Sequence, residues 1–300
     1  MYFRPALTLF ILMLALSPAR ARESRRVTVA VLDMGGSPTA ARAAERLTKR
    51  LASFFIKETT FSVLDRGMSA AAARGVGYAG SLNLTLADAR SLGAAVGCDF
   101  YLTGDAQTIR RSSSARPVYF ESYASVFVVS ARTGRLVLWD RPAAEAATPE
   151  EAEASLLAAL DARAAAYASG VAEAAAREER ERFEPEPAGA AVIDLSTDAG
   201  AGSNPALREP APYRSLRPAY TEAASRAEAE ATVDVSVEIG ADGRVRAAEV
   251  VRWAGFGLDE EVVSTVRRMN FRPAERDGES VAVRVLLRYN FRRPPKSPGK

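Results

Sequence analysis

The stretch "GLDEEVVSTVRRMNFRPAERDGESVAVRVLLRYNF", Gly257 to Phe291, reads as a helix, a corner and a strand in succession. Leu258, Val262, Val266 and Met269 recur at helical spacing, with Asp259, Glu260 and Glu261 at the amino end and Arg267 and Arg268 at the carboxyl end. That charge order suits the helix dipole, so the acids need no catalytic role. Pro273 lacks an amide hydrogen and disfavours helical geometry at Arg272, so the helix is expected to finish near Asn270 while Phe271 turns back over a sheet. Asp277 and Gly278 supply a turn. Then Val281, Val283, Val285, Leu287, Tyr289 and Phe291 alternate with Arg284, Arg288 and other residues, the clearest strand in the chain. Arg284, Arg288 and Arg292 project on one side of it, where they either keep that face soluble or guide an acidic partner peptide.

Upstream, "ATVDVSVEI" places Val233, Val235, Val237 and Ile239 on one face of a half-buried antiparallel strand, and "GADG" turns the chain into "RVRAAEVVRW". Residues 184–216 are rich in Pro, Ala, Gly and Ser without a sustained period, which predicts a flexible linker in which only the short run "AAVIDL" is suited to dock locally.

The amino-terminal half alternates between strand and helix patterns. "RVTVAVLDM" predicts a buried strand ended by "GGSPT"; from Thr39, the residues Ala43, Leu47, Leu51, Phe54 and Phe55 form a helical stripe. "FSVLDRG" follows as a strand, "TLADARSLGAAVG" as a helix capped by Thr85, and "CDFYLTGDAQTIRR" as another strand. "VYFESYASVFVVSA", "RTGR" and "LVLWDRPA" predict a hairpin. "TPEE", Thr148 to Glu151, is a capping box opening a long helix whose stripe is Leu156, Leu157, Leu160, Ala164, Tyr167 and Val171. The predicted fold class is therefore α/β (α+β): a layered α/β domain over 26–183, a linker over 184–216, a small antiparallel-sheet domain over 217–293, and a tail over 294–300.

Composition excludes several functions. The chain of 300 residues has a net charge of +3 from interspersed acids and bases, without the basic stripe that nucleic-acid binding needs. It contains no histidine, which removes histidine-based triads and the usual zinc sites. "MGGSPT" lacks the P-loop lysine and the dinucleotide glycine spacing, and reads as a turn. Neither enzyme activity nor a cofactor is expected. The lone cysteine, Cys98, is expected to be a small buried core residue rather than a reactive thiol.

Residues 1–21 read as a signal peptide: Arg4, an apolar run from Ala6 to Leu16, then Ala19 and Ala21 at a peptidase spacing. The apolar run is shorter than the about 20 residues that span hydrocarbon. The expected location is periplasmic; an uncleaved anchor is the alternative. No cysteine follows the signal to carry a lipid.

From Pro218 to Phe291 the strand, the "DGRV" turn, the "GFGLDEE" helix start, the "FRPA" helix exit and the "DG" turn resemble the TonB carboxy-terminal domain in order. The resemblance implies a small sheet with helices on one side, which takes a peptide of an outer-membrane transporter or other envelope protein at the sheet edge. It implies a partner-binding edge comprising Val281, Val283, Arg284, Val285, Leu287, Arg288 and Tyr289, with Tyr220 nearby as the counterpart of the tyrosine in the family's Tyr-Pro motif. Thr221 stands where that proline would be. Residues Val27 to Arg141 resemble the CsgG and TolB amino-terminal group, which implies a structural adaptor of an outer-membrane secretion or assembly complex as the alternative function. Energy-transducing members couple to an inner-membrane motor through an amino-terminal anchor, so a motor is a partner here only if the anchor is retained.

Overall fold

The computed structural model describes residues 26–55, 60–112, 117–182, 192–196 and 207–293. The expected signal segment and tail lie outside these residues. None of the helices among the described residues is long and apolar enough to cross a membrane.

The amino-terminal half is a mixed sheet between two helical layers. Its strands are β1 (Val27–Val31), β2 (Phe61–Val63), β3 (Phe100–Arg111), β4 (Tyr119–Ser130), β5 (Leu136–Asp140) and β6 (Ala143–Ala146), and its helices are α1 (Pro38–Phe55), α2 (Arg66–Gly75), α3 (Leu86–Val96) and α4 (Pro149–Glu181). The strand order is β2-β1-β3-β4-β5, with β6 also on β4; β1 runs parallel to β2 and β3, and the remaining pairs are antiparallel. β1 is apolar but for Thr28 because both of its faces are covered: Val29 and Val31 meet α1 and α4, whereas Ala30 and Leu32 join the core under α2 and α3. Thr85 and Asp88 form the reciprocal cap of α3, and Thr148 accepts from the Glu151 amide at the start of α4.

Two elements go beyond the sequence expectation. α2 follows the short strand β2, opened by Asp65, whose side chain accepts from the Met68 amide. β6 extends the edge after Pro142, and its first residue, Ala143, pairs with Tyr123. Cys98 is partly rather than fully buried, and burial pushes its thiol up to about 12, which leaves it protonated at neutral pH. At the "GGSPT" turn, a Cβ on Gly35 would lie 2.8 Å from the Asp105 carboxylate. An anion has no welcome beside that acid.

The carboxy-terminal half is built from β7 (Ile193–Asp194), β8 (Leu207–Arg208), β9 (Ala211–Pro212), α5 (Glu222–Ala227), β10 (Ala231–Ile239), β11 (Val245–Arg252), α6 (Leu258–Arg267), β12 (Phe271–Arg272), β13 (Ala274–Arg276), β14 (Glu279–Val281) and β15 (Val283–Phe291). The main sheet has the order β11-β10-β15-β7. Val233, Val235, Val237 and Ile239 of β10 pack under Leu258, Val262 and Val266 of α6, with Phe271 closing the core. α6 ends at Arg267, about a turn before Asn270, and Phe271 is 2% exposed. Asp277 and Gly278, at φ +54° and +85°, make the tight turn between β13 and β14.

Within 184–216, the described residues are not free. β8 pairs with β13, β9 with β12, and β7 lies on β15.

The two halves share a core. Leaving β11, the loop carries Trp253 and Phe256 onto the face of the first sheet that α2 and α3 leave uncovered. Trp253 is 1% exposed, stacks on Phe127 at 5.6 Å and donates its indole N–H to the Gly134 carbonyl at 3.0 Å. Phe256 sits between Phe127 and Trp139 at 5.7 and 5.4 Å. Gly134, at φ +74°, has no room for a Cβ, which would fall 2.2 Å from the Leu86 carbonyl oxygen. The Asn83 side chain donates to the Thr232 and Trp253 carbonyls and accepts from the Thr232 amide.

Candidate functional site

β15 carries most of the residues expected at the binding edge. Its exposure alternates strictly: Val283, Val285, Leu287, Tyr289 and Phe291 turn to the core side, while Arg284, Leu286, Arg288 and Asn290 are exposed. One flank pairs with β10 along its whole length, Ala231 opposite Phe291 through Ile239 opposite Val283. On the other flank, Ile193 and Leu195 donate to the carbonyls of Ala282 and Arg284 at 3.1 and 2.7 Å. Strand backbone groups alternate sides, so the outward N–H and C=O groups further along belong to Leu286, Arg288 and Asn290. Among the described residues no strand pairs with β15 on that flank beyond Arg284.

Val281 does not lie on this strand. The tight Asp277–Gly278 turn folds Glu279–Val281 back as β14, where Val281 pairs with Ala274. The run breaks at Ala282.

Arg288 has a structural duty. It stands opposite Asp234 in the β10–β15 register, and its Nε and Nη2 donate to the two Asp234 carboxylate oxygens at 2.7 and 3.0 Å. From β11, Arg252 adds a third donor at 3.1 Å. Asp234 is 3% exposed, on the face that alternation assigns to solvent. Burial pulls its carboxyl upward, yet hydrogen bonds and charge from Arg288 and Arg252 outweigh burial and hold it below its ordinary range. Arg284 is less engaged: it lies 3.7 Å from Glu238 and 3.9 Å from Asp194.

Tyr220 stands at the far end of the strand from β7, its ring 6.4 Å from that of Phe291. Its hydroxyl is within reach of the Ala224 and Ala229 carbonyls at 3.1 and 2.8 Å, so it ties down α5. Burial raises its pKa. Thr221 accepts from the Ala224 amide as the cap of α5 and donates to the Phe256 carbonyl at 2.6 Å. A proline there has neither group.

Asp259, expected only as a helix-start acid suited to the dipole, is buried and accepts from the Ala254 and Gly255 amides at 2.9 and 2.8 Å. It thereby holds the loop that bears Trp253 and Phe256. Burial pushes its carboxyl up to about 6, against those two hydrogen bonds. Next to it, a cleft of about 700 Å³ opens between β5 and α6, floored by Leu136, Leu138, Trp139, Val250 and Val263, with Arg267 at its rim. Among the described residues, no cluster of His, Cys, Asp or Glu is arranged to hold a metal ion.

Sequence reasoning passed over Asp234, Asn83, Trp253 and Phe256. Asp234 looked like any outward residue of an alternating strand. The two aromatics lie in a loop, where no period marks burial; the glycines around them in "WAGFG" were the available signal.

Residues 217–292 match the family model described as the carboxy-terminal region of the Gram-negative bacterial TonB protein. No curated protein matches the chain. Among solved structures, the TonB carboxy-terminal domain of Pseudomonas aeruginosa is 22% identical, covering 35% of this chain and 96% of that one at a TM-score of 0.26. The hypothetical protein CT253 of Chlamydia trachomatis is 13% identical over 48% of this chain and 98% of its own, at 0.34. The PelC dodecamer from Paraburkholderia phytofirmans is 12% identical over 48% and 89%, at 0.30. At these scores the three likenesses carry no argument about function.

Proposed function

From the premise that residues 217–292 are a TonB carboxy-terminal domain, we propose that this protein is a non-enzymatic periplasmic adaptor. It takes an extended peptide of an outer-membrane transporter or another envelope protein as an added strand on β15. The observation that carries this reading is the row of outward backbone groups at Leu286, Arg288 and Asn290 beyond the short pairing with β7. Main-chain hydrogen bonds supply affinity in strand addition, and side chains of alternate residues select the partner. Force transmission to a transporter belongs to this reading only if the amino-terminal segment is retained as an anchor and reaches an inner-membrane motor.

The test is Leu286→Pro in the full chain. Its amide points away from β10, so proline removes a donor from the edge and spares the internal ladder. Capture of transporter-derived peptides is expected to fall by about ten-fold or more; unchanged capture would rule out the edge.

A second reading, a structural adaptor in which both halves together join an outer-membrane assembly complex, is favoured by the shared core around Trp253. Pull-downs with the full chain and with Trp253→Ala separate the two: only this second reading requires the packed interface for retention of the complex.

A further inference from the structure

We infer that Ile193–Leu195 is an internal ligand of the β15 edge, and that an external partner displaces it with a strand of the same chemistry: parallel to β15, apolar at alternate positions, with an acid opposite Arg284. This rests on the reading of β15 as the binding edge.

The segment does what an added strand does. Ile193 and Asp194 stand opposite Val283 and Arg284 in parallel register, and the amides of Ile193 and Leu195 donate to the carbonyls of Ala282, just before β15, and Arg284 within it. Ile193 and Leu195 pack against the carboxy-terminal core while Asp194 between them is exposed. Asp194 shares its face with Arg284, whose Nη1 lies 3.9 Å from its Oδ2. The acid is also fixed by the Ser196 amide at 2.8 Å and the Ser196 hydroxyl. That the stretch is apolar, acidic, apolar is therefore matched by what the edge offers: a half-covered apolar side beside Val283 and Val285, and a cation on the other face.

The pairing is short. It occupies Val283 and Arg284 and leaves the outward groups of Leu286, Arg288 and Asn290 for a newcomer. A longer parallel strand that seats on those three residues and extends toward Val283 makes more main-chain bonds than the internal segment, and removes it. A tethered segment competes at an effective concentration on the order of millimolar, so it screens out weak strands and admits long, well-matched ones.

The experiment uses the full chain and a synthetic peptide of sequence AVIDLS, with AVIKLS as its charge-reversed control. Ile193→Pro/Leu195→Pro removes both internal donors and empties the slot; a melting curve like that of the parent shows that the fold is kept. The double variant is expected to bind AVIDLS about ten-fold more tightly than the parent chain does, since the parent must first vacate the slot. AVIKLS is expected to bind the double variant several-fold more weakly than AVIDLS, about five-fold on the scale of one charge pair. Equal affinity of parent and double variant for AVIDLS overturns the internal-ligand proposal, while tight binding of transporter peptides by both leaves the edge reading standing. Failure of both chains to bind any strand peptide overturns both. Should the double variant unfold, Asp194→Lys in the parent tests the same claim: a rise in AVIDLS affinity supports it, and no rise overturns it.

Discussion

Two aspartates in the carboxy-terminal half respond to pH with opposite sign. Asp259 has a folded value of about 6 against an ordinary 3.8. Its contribution is fully present below the unfolded value and is lost as pH rises through about 6. Asp234 is held below 3.8. Its contribution is present above 3.8 and is lost as pH falls through the folded value. Stability measured by chemical denaturation should therefore decline between about pH 4 and 6 for one reason, and below pH 4 for the other. Asp259→Asn should flatten the upper limb, read from Trp253 fluorescence beside the loop, at a cost of about 1–3 kcal/mol for the altered loop hydrogen bonds. Asp234→Ala should cost about 1–3 kcal/mol at neutral pH, because it removes the shared acceptor of three charge-assisted hydrogen bonds, while Arg288 and Arg252 keep access to water. An unchanged upper limb in Asp259→Asn would assign that decline to another group.

At the level of elements, the "NFRPAERDG" corner sets where the edge begins. Phe271 seals the core and Asp277–Gly278 send β14 back before β15 starts. Phe271→Ala should destabilise the carboxy-terminal half by about 3–5 kcal/mol, measured by thermal or denaturant unfolding; a melt like that of the parent chain would refute the packing role. Elements with a sustained period were legible in the sequence. β10 and β15 alternate over nine residues each, and α1, α3 and α4 carry stripes or caps. The elements that escaped have no room for a period. β8 and β9 are two residues each, set in Pro- and Gly-rich chain that reads as linker; β7, equally short, falls in the run "AAVIDL", which was expected to dock locally but not as a strand. α2, "RGMSAAAARG", buries only the small residues Ser69, Ala70 and Ala73 and leaves Met68 exposed, so no stripe of large apolar residues marks its inner face. On β15 the alternation was read correctly, but it carried Val281 into the strand because the hairpin turn that removes it acts through backbone geometry.

Across the molecule, the two halves complete each other. The first sheet leaves part of one face open, and Trp253 and Phe256 of the second half fill it, with Asn83 satisfying the buried backbone of β10 and the loop. Unfolding of residues 26–293 should accordingly be one cooperative transition. Trp253→Ala, losing about 3–5 kcal/mol of packing, should divide it into two; two transitions already present in the parent chain would mean that the interface is weak. This joint body presents β15 with one flank locked to β10 and the other, among the described residues, held at its start by β7. The most direct test of the account is a titration of the isotope-labelled full chain with an outer-membrane transporter peptide, followed by backbone amide resonances. The account predicts shifts along Val283–Phe291, largest at Leu286, Arg288 and Asn290, with Ile193 and Leu195 losing protection from exchange. Shifts confined to the cleft at Leu136–Trp139, or no shifts along β15 at saturating peptide, would contradict it.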